Sequence, residues 1–591
     1  MNMRFAGAAA VIAIGLMLIG SYAQGRGRID VVKVDVSSFG AIANDGKDDT
    51  AAVLAALERC QQSPPSVLVF PKGRYDFFAG SNPQDKNLLF SVRDLNDLTI
   101  EGQGSEFMIH GLTSVFTFIN CRNLTIRDFT LDWDRPFFST GKVLAVEGKH
   151  FDVDVFPEYP VKGGEPVGAY MDYDPETKLP MRHGVSPYAT CEKTELIRPQ
   201  VLRVYTKNPP PIKPGVLVVL RHQLYGPTAF HCSRCSDVKI QEVNVYHVPG
   251  MGFTGGVCNN ISLERFRVIP RPNSGHLMSA TADATHFGGC TGTILMDGCV
   301  YEGMGDDGVN IKSGLYLSLK EKLDDHTILA GHNLQMIDAP DPGDEMEISH
   351  VDDLLAYAKI RVKKVEVLWE QKLAKVEFES PLPEELREGD VFGNATRTPK
   401  VRIRNTEVRR NRARGMLIQT RDAVIENCKF IRCTGPGIIV HTETVYFFES
   451  IGPRNVTVRN CLFEHCNYGV AMGPGALTAF AYLKDFKYPP KPGVLKDIVF
   501  EGNTIRGTDN SGIFVAGVEG ITLSKNTIEA SCDDPTRDTG DAAIYLTGSS
   551  RVRIEGNTVE PKKQGAKFKE ALKFGEGVDR SAAYVEGNKG F

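Results

Sequence analysis

The sequence predicts an all-β chain: a parallel β-helix into which two small β domains are inserted. Three observations carry this prediction. A short alternating strand recurs eleven times. Two long stretches break that recurrence and carry strands of their own. Glycine is abundant and tryptophan scarce, Gly 58 against Trp 2 in 591 residues, as suits many short strands and turns.

The N-terminus reads MNMRFAGAAAVIAIGLMLIGSYAQG. Arg4 precedes an uncharged apolar run, and Ser21-Tyr22-Ala23 is a small-x-small cleavage signal. Residues 1–23 are therefore expected to be a signal peptide, and the protein to be exported, periplasmic or secreted. The apolar run is short for a spanning helix, and no later segment is apolar enough to cross a membrane. Net charge is -5 and the pI is near 6.3. No basic stripe stands out, which argues against a nucleic-acid partner. Thirteen cysteines are spread along the chain. Cys232 and Cys235 form a lone CxxC without a matching second pair, weak support for zinc. Cys428, Cys433, Cys461 and Cys466 recur at similar places in successive repeats, as buried stacked thiols would.

Residues 30–135 are expected to form an N-terminal cap and the first coils. VDVSSFGAIANDGKDDTAAVLAALERC predicts a strand, a turn and one amphipathic helix from Asp49 to about Cys60; VLVFPKGRYDF follows. This opening resembles the pectate-lyase-like, right-handed parallel β-helix proteins, where such a helix covers the open end of the coil. The repeats then run from NDLTIEG (96–102) and RNLTIRD (122–128) to EGITLSKN (519–526) and SRVRIEGN (550–557). Period-2 strands at such spacing mean a solenoid in which each coil buries its inward face on its neighbours. Asn405, Asn427, Asn460, Asn503, Asn526 and Asn557 follow the strands and predict an amide ladder at one corner. Residues 136–230 and 316–397 lack the repeat and predict two inserted β-barrel or sandwich domains. Coils are expected again at 231–315 and 398–591.

Carboxylates gather in the coils at 231–315. In SATADATHF, Ala280, Ala282 and Ala284 share one parity, so Asp283 is expected to point outward and His286 inward as a core histidine. In GMGDDGVNIKSG, Val309 and Ile311 face the core, which puts Asn310 and Lys312 outward. Extending that parity would bury Asp307, a costly place for an unpaired acid. Gly305 and Gly308 permit a kink that turns Asp306 and Asp307 outward. Asp283 and Asp307 are 24 residues apart, close to one coil, which stacks them on neighbouring rungs roughly 5 Å apart. Like charges so close raise at least one pKa. One protonated and one ionised carboxyl is what glycoside hydrolysis needs; a calcium site or a solvated patch is the plainer alternative.

Four stretches, LDWDRPFFSTGKV (131–143), ADATHFGGCTG (282–292), DDGVNIKSGLYL (306–317) and FFESIGPRNVTVRN (447–460), resemble glycoside hydrolase family 110 in order and spacing. The resemblance implies an inverting exo-hydrolase of terminal α-1,3-linked galactose, as in blood-group-B-type or linear Galα1-3Gal glycans. It makes Asp283, Asp306 and Asp307 the catalytic acids, with an oligosaccharide or glycoconjugate as substrate; no GxGxxG, P-loop or clear metal-ligand cluster appears, so no cofactor or metal is expected. Inversion implies carboxyl groups roughly 6.5–9.5 Å apart, with a water between. Trp133 is a candidate for stacking on the sugar, with Arg135 on its hydroxyls; a core plug at the root of the insert is the alternative. His286, Asn310, Lys312, Glu449 and Arg414 complete the candidate substrate-binding set; Arg412 or Arg414 would reach the acids from the next rung. Two departures bear on specificity. Lys312-Ser313-Gly314 stands where the family has His-Gly, and Phe447 where it has Trp. DDxxxIKSG is also similar to the polygalacturonases of family 28, but the chain lacks that family's Asn-Thr-Asp, Gly-His-Gly and Arg-Ile-Lys. A carbohydrate-binding β-helix without turnover is the alternative from another class. A homodimer stays open.

Overall fold

The computed structural model describes residues 31–332, 338–469, 473–483, 489–534, 542–560 and 568–591. The leader expected at residues 1–23 lies outside them. The chain winds into a right-handed parallel β-helix with two long parallel sheets, one of 12 strands and one of 23, among the described residues. No described helix is long and apolar enough to cross a membrane.

The repeat becomes a coil because its apolar positions stack in register. Leu98, Leu124, Val238, Ile261, Ile294 and Val401 pair rung to rung. Ala423, Val456, Ile498, Ile521 and Val552 continue the same column. All are buried. Full burial of one such aliphatic side chain stabilises by about 1.5–3 kcal/mol. The residue just before this column turns the corner with a positive φ in most rungs: Asp97, Asn123, Asp237, Asn260, Asp422, Asn455, Asp497 and Gly520 all do. Asn, Asp and Gly recur there because they tolerate the left-handed region best.

The six asparagines expected to form one ladder divide into two roles. Asn405, Asn427 and Asn460 are left-handed turn residues. Asn503, Asn526 and Asn557 sit one position further on and form the ladder proper, with Asn588 as its last rung. Their amides donate to the next coil's Oδ1 at 3.0, 2.9 and 3.0 Å. In earlier coils Cys299, Cys428 and Cys461 take the ladder position as buried thiols. All thirteen cysteines are free, and Cys232 and Cys235 pack in the core.

The helix Thr50–Gln61 buries Val53, Ala56, Leu57 and Cys60 over the first coil. Two antiparallel excursions leave the solenoid. A six-stranded sheet runs from Phe138–Glu147 to Leu217–Arg221, with its own core of Phe151, Tyr170, Leu202 and Val219. A closed six-stranded barrel runs from Leu317–Lys322 to Val391–Asn394, around Ile348, Val362 and Phe392.

Candidate active site

The strands Thr285–Gly288, Val309–Lys312, Met416–Gln419 and Ile438–Glu443 are consecutive rungs of the 12-stranded sheet. Their outward positions line up as His286, Asn310, Leu417 and Ile439, then Lys312, Gln419 and, one rung on, His441. The acids lie in the turns just before the first two strands. Asp283, Asp306 and Asp307 are buried, and an oxygen of each lies within 4.8 Å of the others. The Asp307 backbone N–H donates to Asp283 Oδ1 at 3.2 Å, which fixes one turn on the next.

The glycines flanking the pair serve close packing, not a left-handed kink. A Cβ on Gly305 would sit 2.3 Å from Thr281 O, and one on Gly308 2.5 Å from Val408 Cγ1. Asp307 is accordingly buried, as the simple parity implied, and it is not alone. Arg414, from the next coil, donates its backbone N–H to Asp307 Oδ1 at 2.9 Å and Nη2 to Oδ2 at 2.6 Å. Asp306 accepts from Arg412 Nη1 at 3.2 Å and from Tyr225 OH at 2.5 Å.

These surroundings split the acids electrostatically. Burial, then repulsion from Asp306, pushes Asp283 well above the usual carboxylate range. Burial pushes Asp307 up to about 7; Arg414 opposes it, and Asp306 and Asp283 add to it. His286 shares a 2.8 Å hydrogen bond with Asp283, and burial holds its pKa down at about 4, so it is neutral at pH 7. It is not the inward core residue that parity gave. The alternation of Ala280, Ala282 and Ala284 belongs to a turn, and the strand starts in the opposite phase at Thr285, with Phe287 in the core.

Lys312 donates to Glu449 at 3.0 Å, and Gln419 donates to the same carboxylate at 3.0 Å. Burial alone would raise Glu449; Lys312 overcomes it and the pKa falls to about 2. Around this pair, Asn310 Oδ1, Gln419 Oε1 and His441 Nδ1 are buried without a hydrogen-bond partner among the described residues. Buried polar atoms are normally satisfied, so three orphans on adjoining rungs mark a place for a hydroxylated ligand. Gln419 and His441 were missed from sequence. Their signal was a polar residue at the outward position of MLIQ and IIVHTE, the place Lys312 holds in VNIK.

Two sequence candidates are corrected. Trp133 is 2% exposed, its indole N–H donates to Gly111 O at 3.1 Å, and its ring packs edge-on to His247. It plugs the core where the chain leaves for the insert. Arg135 donates to the carbonyls of Pro136 and Phe138 and to Ser139 Oγ, and so braces the root of that insert. Among the described residues neither is hydrogen-bonded to Asp283, Asp306 or Asp307. The insert acts on the site through other residues. Arg221 is buried and donates to Thr281 O and Gly305 O at 3.0 and 2.8 Å. The guanidiniums of Arg221 and Arg412 both lie over the Tyr188 ring, 4.7 and 4.6 Å from its centroid, and Ser186 accepts from Arg412 Nε at 2.7 Å.

The three acids could hold a cation by geometry. Arg412 and Arg414 already supply positive charge to two of them. His183, Asp509 and Asp534 form a second such group, in which Arg182 sits 2.6 Å from Asp509.

Comparison with known proteins decides the class. The chain is 27% identical to alpha-1,3-galactosidase B of Bacteroides thetaiotaomicron, over 89% of this chain and 91% of that protein. It is 27% identical to alpha-1,3-galactosidase A of Shewanella woodyi, over 89% and 90%. It is 24% identical to alpha-1,3-galactosidase B of Parabacteroides distasonis, over 95% and 96%. The chain is a glycoside hydrolase. The likeness to these relatives is consistent with the resemblance to family 110. A right handed beta helix region model matches residues 390–485 and 488–571 of the hydrolase, and the GLAA-B beta-barrel domain II model matches 331–392. Among solved structures, the family 28 exopolygalacturonase of Yersinia enterocolitica covers 95% of the hydrolase and 78% of its own chain, at 11% identity and a TM-score of 0.46. That likeness carries no functional argument.

Proposed function

We propose that this hydrolase removes terminal α-1,3-linked galactose from glycans, with inversion at the anomeric carbon. The observation that carries the proposal is the split among three stacked acids. Asp283, pushed well above the usual carboxylate range by burial and then by Asp306, is the general acid toward the leaving oxygen. Asp307, titrating near 7, and Asp306, held by Arg412 and Tyr225, position and deprotonate the attacking water. Asn310, Gln419 and His441 take sugar hydroxyls. The linkage and the terminal action rest on the relatives named alpha-1,3-galactosidase; the insert reaches the acids through Tyr225 on Asp306 and Ser186 on Arg412.

Charge argues for a neutral sugar. Four carboxyls, Asp283, Asp306, Asp307 and Glu449, face three cations, Lys312, Arg412 and Arg414, each already within 3.2 Å of an acid. A uronate would enter beside ionised Glu449 with no free cation among these to meet it. The nearest acid oxygens lie closer than the roughly 6.5–9.5 Å between carboxyl groups of inverting sites, so inversion rests on the resemblance to family 110. Incubation with Galα1-3Gal followed by proton NMR tests both points. Free β-galactose as first product supports the proposal. First appearance of α-galactose overturns inversion, and cleavage of polygalacturonate with no release from any α-galactoside overturns the substrate. Export through residues 1–23 belongs to the same proposal, and the N-terminal sequence of the secreted protein tests it.

A further inference from the structure

The hydrogen-bond ladder between the two acid-bearing coils has a gap. The Ser279 N–H donates to Gly303 O and the Gly305 N–H to Ala280 O; pairing resumes with the N–H groups of Ala284 and Thr285 on Asp307 O and Gly308 O. The carbonyls of Thr281 and Gly305 fall inside the gap, and both residues are buried. Buried backbone carbonyls are normally paired. Here a single side-chain nitrogen pairs both: Arg221 Nη1 donates to Thr281 O at 3.0 Å and to Gly305 O at 2.8 Å. Among the described residues no other donor reaches either carbonyl. Thr281 lies two residues before Asp283, and Gly305 immediately before Asp306. One nitrogen of the insert therefore spans the two turns on which all three acids sit.

The insert holds that nitrogen in place. The strand Leu217–Arg221 is paired on both edges, with Phe138–Glu147 and with Ala169–Tyr173. Gly305 leaves the room, since a Cβ there would lie 2.7 Å from Nη1. The Tyr188 ring covers the guanidinium, and Arg412, which lies over the same ring, donates to Asp306. Thr281 Oγ1 donates to Leu224 O at 2.9 Å, a second tie from the same turn to the insert. Among the described residues Arg221 has no carboxylate partner, and its buried Nε and Nη2 have no hydrogen-bond partner. A buried cation without a counter-ion is costly. Such costs collect where function needs them, and ion pairing is not the need here. What Arg221 does in this fold is bond two carbonyls.

We propose that Arg221 is a positioning residue for the reaction: it fixes the placement of Asp283 relative to Asp306 and Asp307, acting through the backbone of their two turns. Acid and base work on opposite ends of one bond-breaking step, so their separation enters the rate directly, and a misplacement of about 1 Å costs about 10²-fold. The ladder cannot supply this separation, because it is interrupted where the acids stand. Sugar binding through Asn310, Gln419 and His441 belongs to strands on which Arg221 makes no bond. The inference rests on the galactosidase reading for its acid and base, and its test separates the two.

Arg221→Lys keeps the charge without the planar fork, and Arg221→Met keeps neither. Steady-state kinetics on Galα1-3Gal, calorimetric binding of free galactose and melting temperatures are read on both. Expected are a fall in kcat of about tenfold for Arg221→Lys and about 10²-fold for Arg221→Met, with KM and galactose affinity within about twofold of the wild type. An arginine that only stabilises the fold would lower the melting temperature and leave kcat as it was; that result overturns the inference. So does a loss of galactose affinity in step with kcat, or a failure of both variants to fold. If only Arg221→Met fails to fold, Arg221→Lys carries the test. No turnover of Galα1-3Gal by the wild type overturns the proposed function alone, and the comparison is then made on the glycan the wild type does cleave. Crystal structures of the wild type and Arg221→Lys give an answer independent of turnover. The turns of Asp283 and Asp306 should be displaced relative to one another in the variant; unmoved turns beside a reduced kcat overturn the inference.

Discussion

Arg414→Met isolates what holds the proposed base in its working range. Arg414 makes two hydrogen bonds to a carboxylate that is 1% exposed. The backbone bond survives the substitution and the charge does not. Asp307 already stands at about 7 against 3.8 for a free aspartate. That climb corresponds to roughly 4 kcal/mol of stability. The sign follows from the direction of the shift. The folded-state value is raised, so the stability is fully present below about pH 4 and is lost as pH rises toward 7. Removing Arg414 raises Asp307 further. Each pH unit by which the limb moves is worth about 1.4 kcal/mol. A buried pair broken on one side costs about 3–5 kcal/mol while the remaining charge persists, but Asp307 escapes much of this by taking a proton. The variant should therefore lose little stability at pH 6 and more at pH 8, and the rising limb of kcat/KM should move up by more than one pH unit. At pH 6 this is a loss of more than about tenfold. The assay is kcat/KM on Galα1-3Gal across pH 5–9, with melting temperatures at pH 6 and 8. A uniform fall in rate with an unmoved limb would refute the reasoning, because Arg414 would then be acting on substrate and not on Asp307.

Asp283→Asn should lower kcat by about 10²–10⁴-fold and abolish the high-pH limb of the profile; a retained limb would assign the proton donor elsewhere. Tyr225→Phe removes the hydroxyl that donates to Asp306 and should lower kcat by about tenfold while the melting temperature holds, since the side chain is largely exposed. Asn526→Ala breaks the ladder on both sides, leaving the Asn503 amide without its Oδ1 partner, and should cost about 1–3 kcal/mol in urea unfolding with no change in KM.

The repeat, the capping helix and the three acids were legible because each is a local pattern: period 2, period 3.6, and a spacing of one coil. Phase was harder. SATADATHF alternates as a strand would, yet it is a turn followed by a strand in the opposite phase, which turned His286 from core to pocket. Gly305 and Gly308 show the same limit. Their need is room for Thr281 O and Val408, atoms 24 and 100 residues away, and no local pattern encodes a neighbour at that distance. The insert's reach was hidden for a related reason. Arg221, Tyr188 and Tyr225 sit in a stretch with no repeat to set their register, so nothing in the sequence tied them to Asp306. Trp133 was weighed as both ring platform and plug; its burial decides for the plug.

Asp307 and Arg414 are 107 residues apart in sequence, yet they meet on adjoining coils. The intervening barrel closes on itself, its first strand hydrogen-bonded to its last through Leu317 and Phe392. Once it has done so, its two ends emerge side by side, and the separation across which the acid must find its arginine is that of a tight turn. An open loop of the same length would set a chain-entropy cost against every closing of the site. The barrel thus makes a distant pair into near neighbours before either touches the other, and any change that loosens its seam at Leu317 and Phe392 should slow assembly of an active centre from which it contributes no acid.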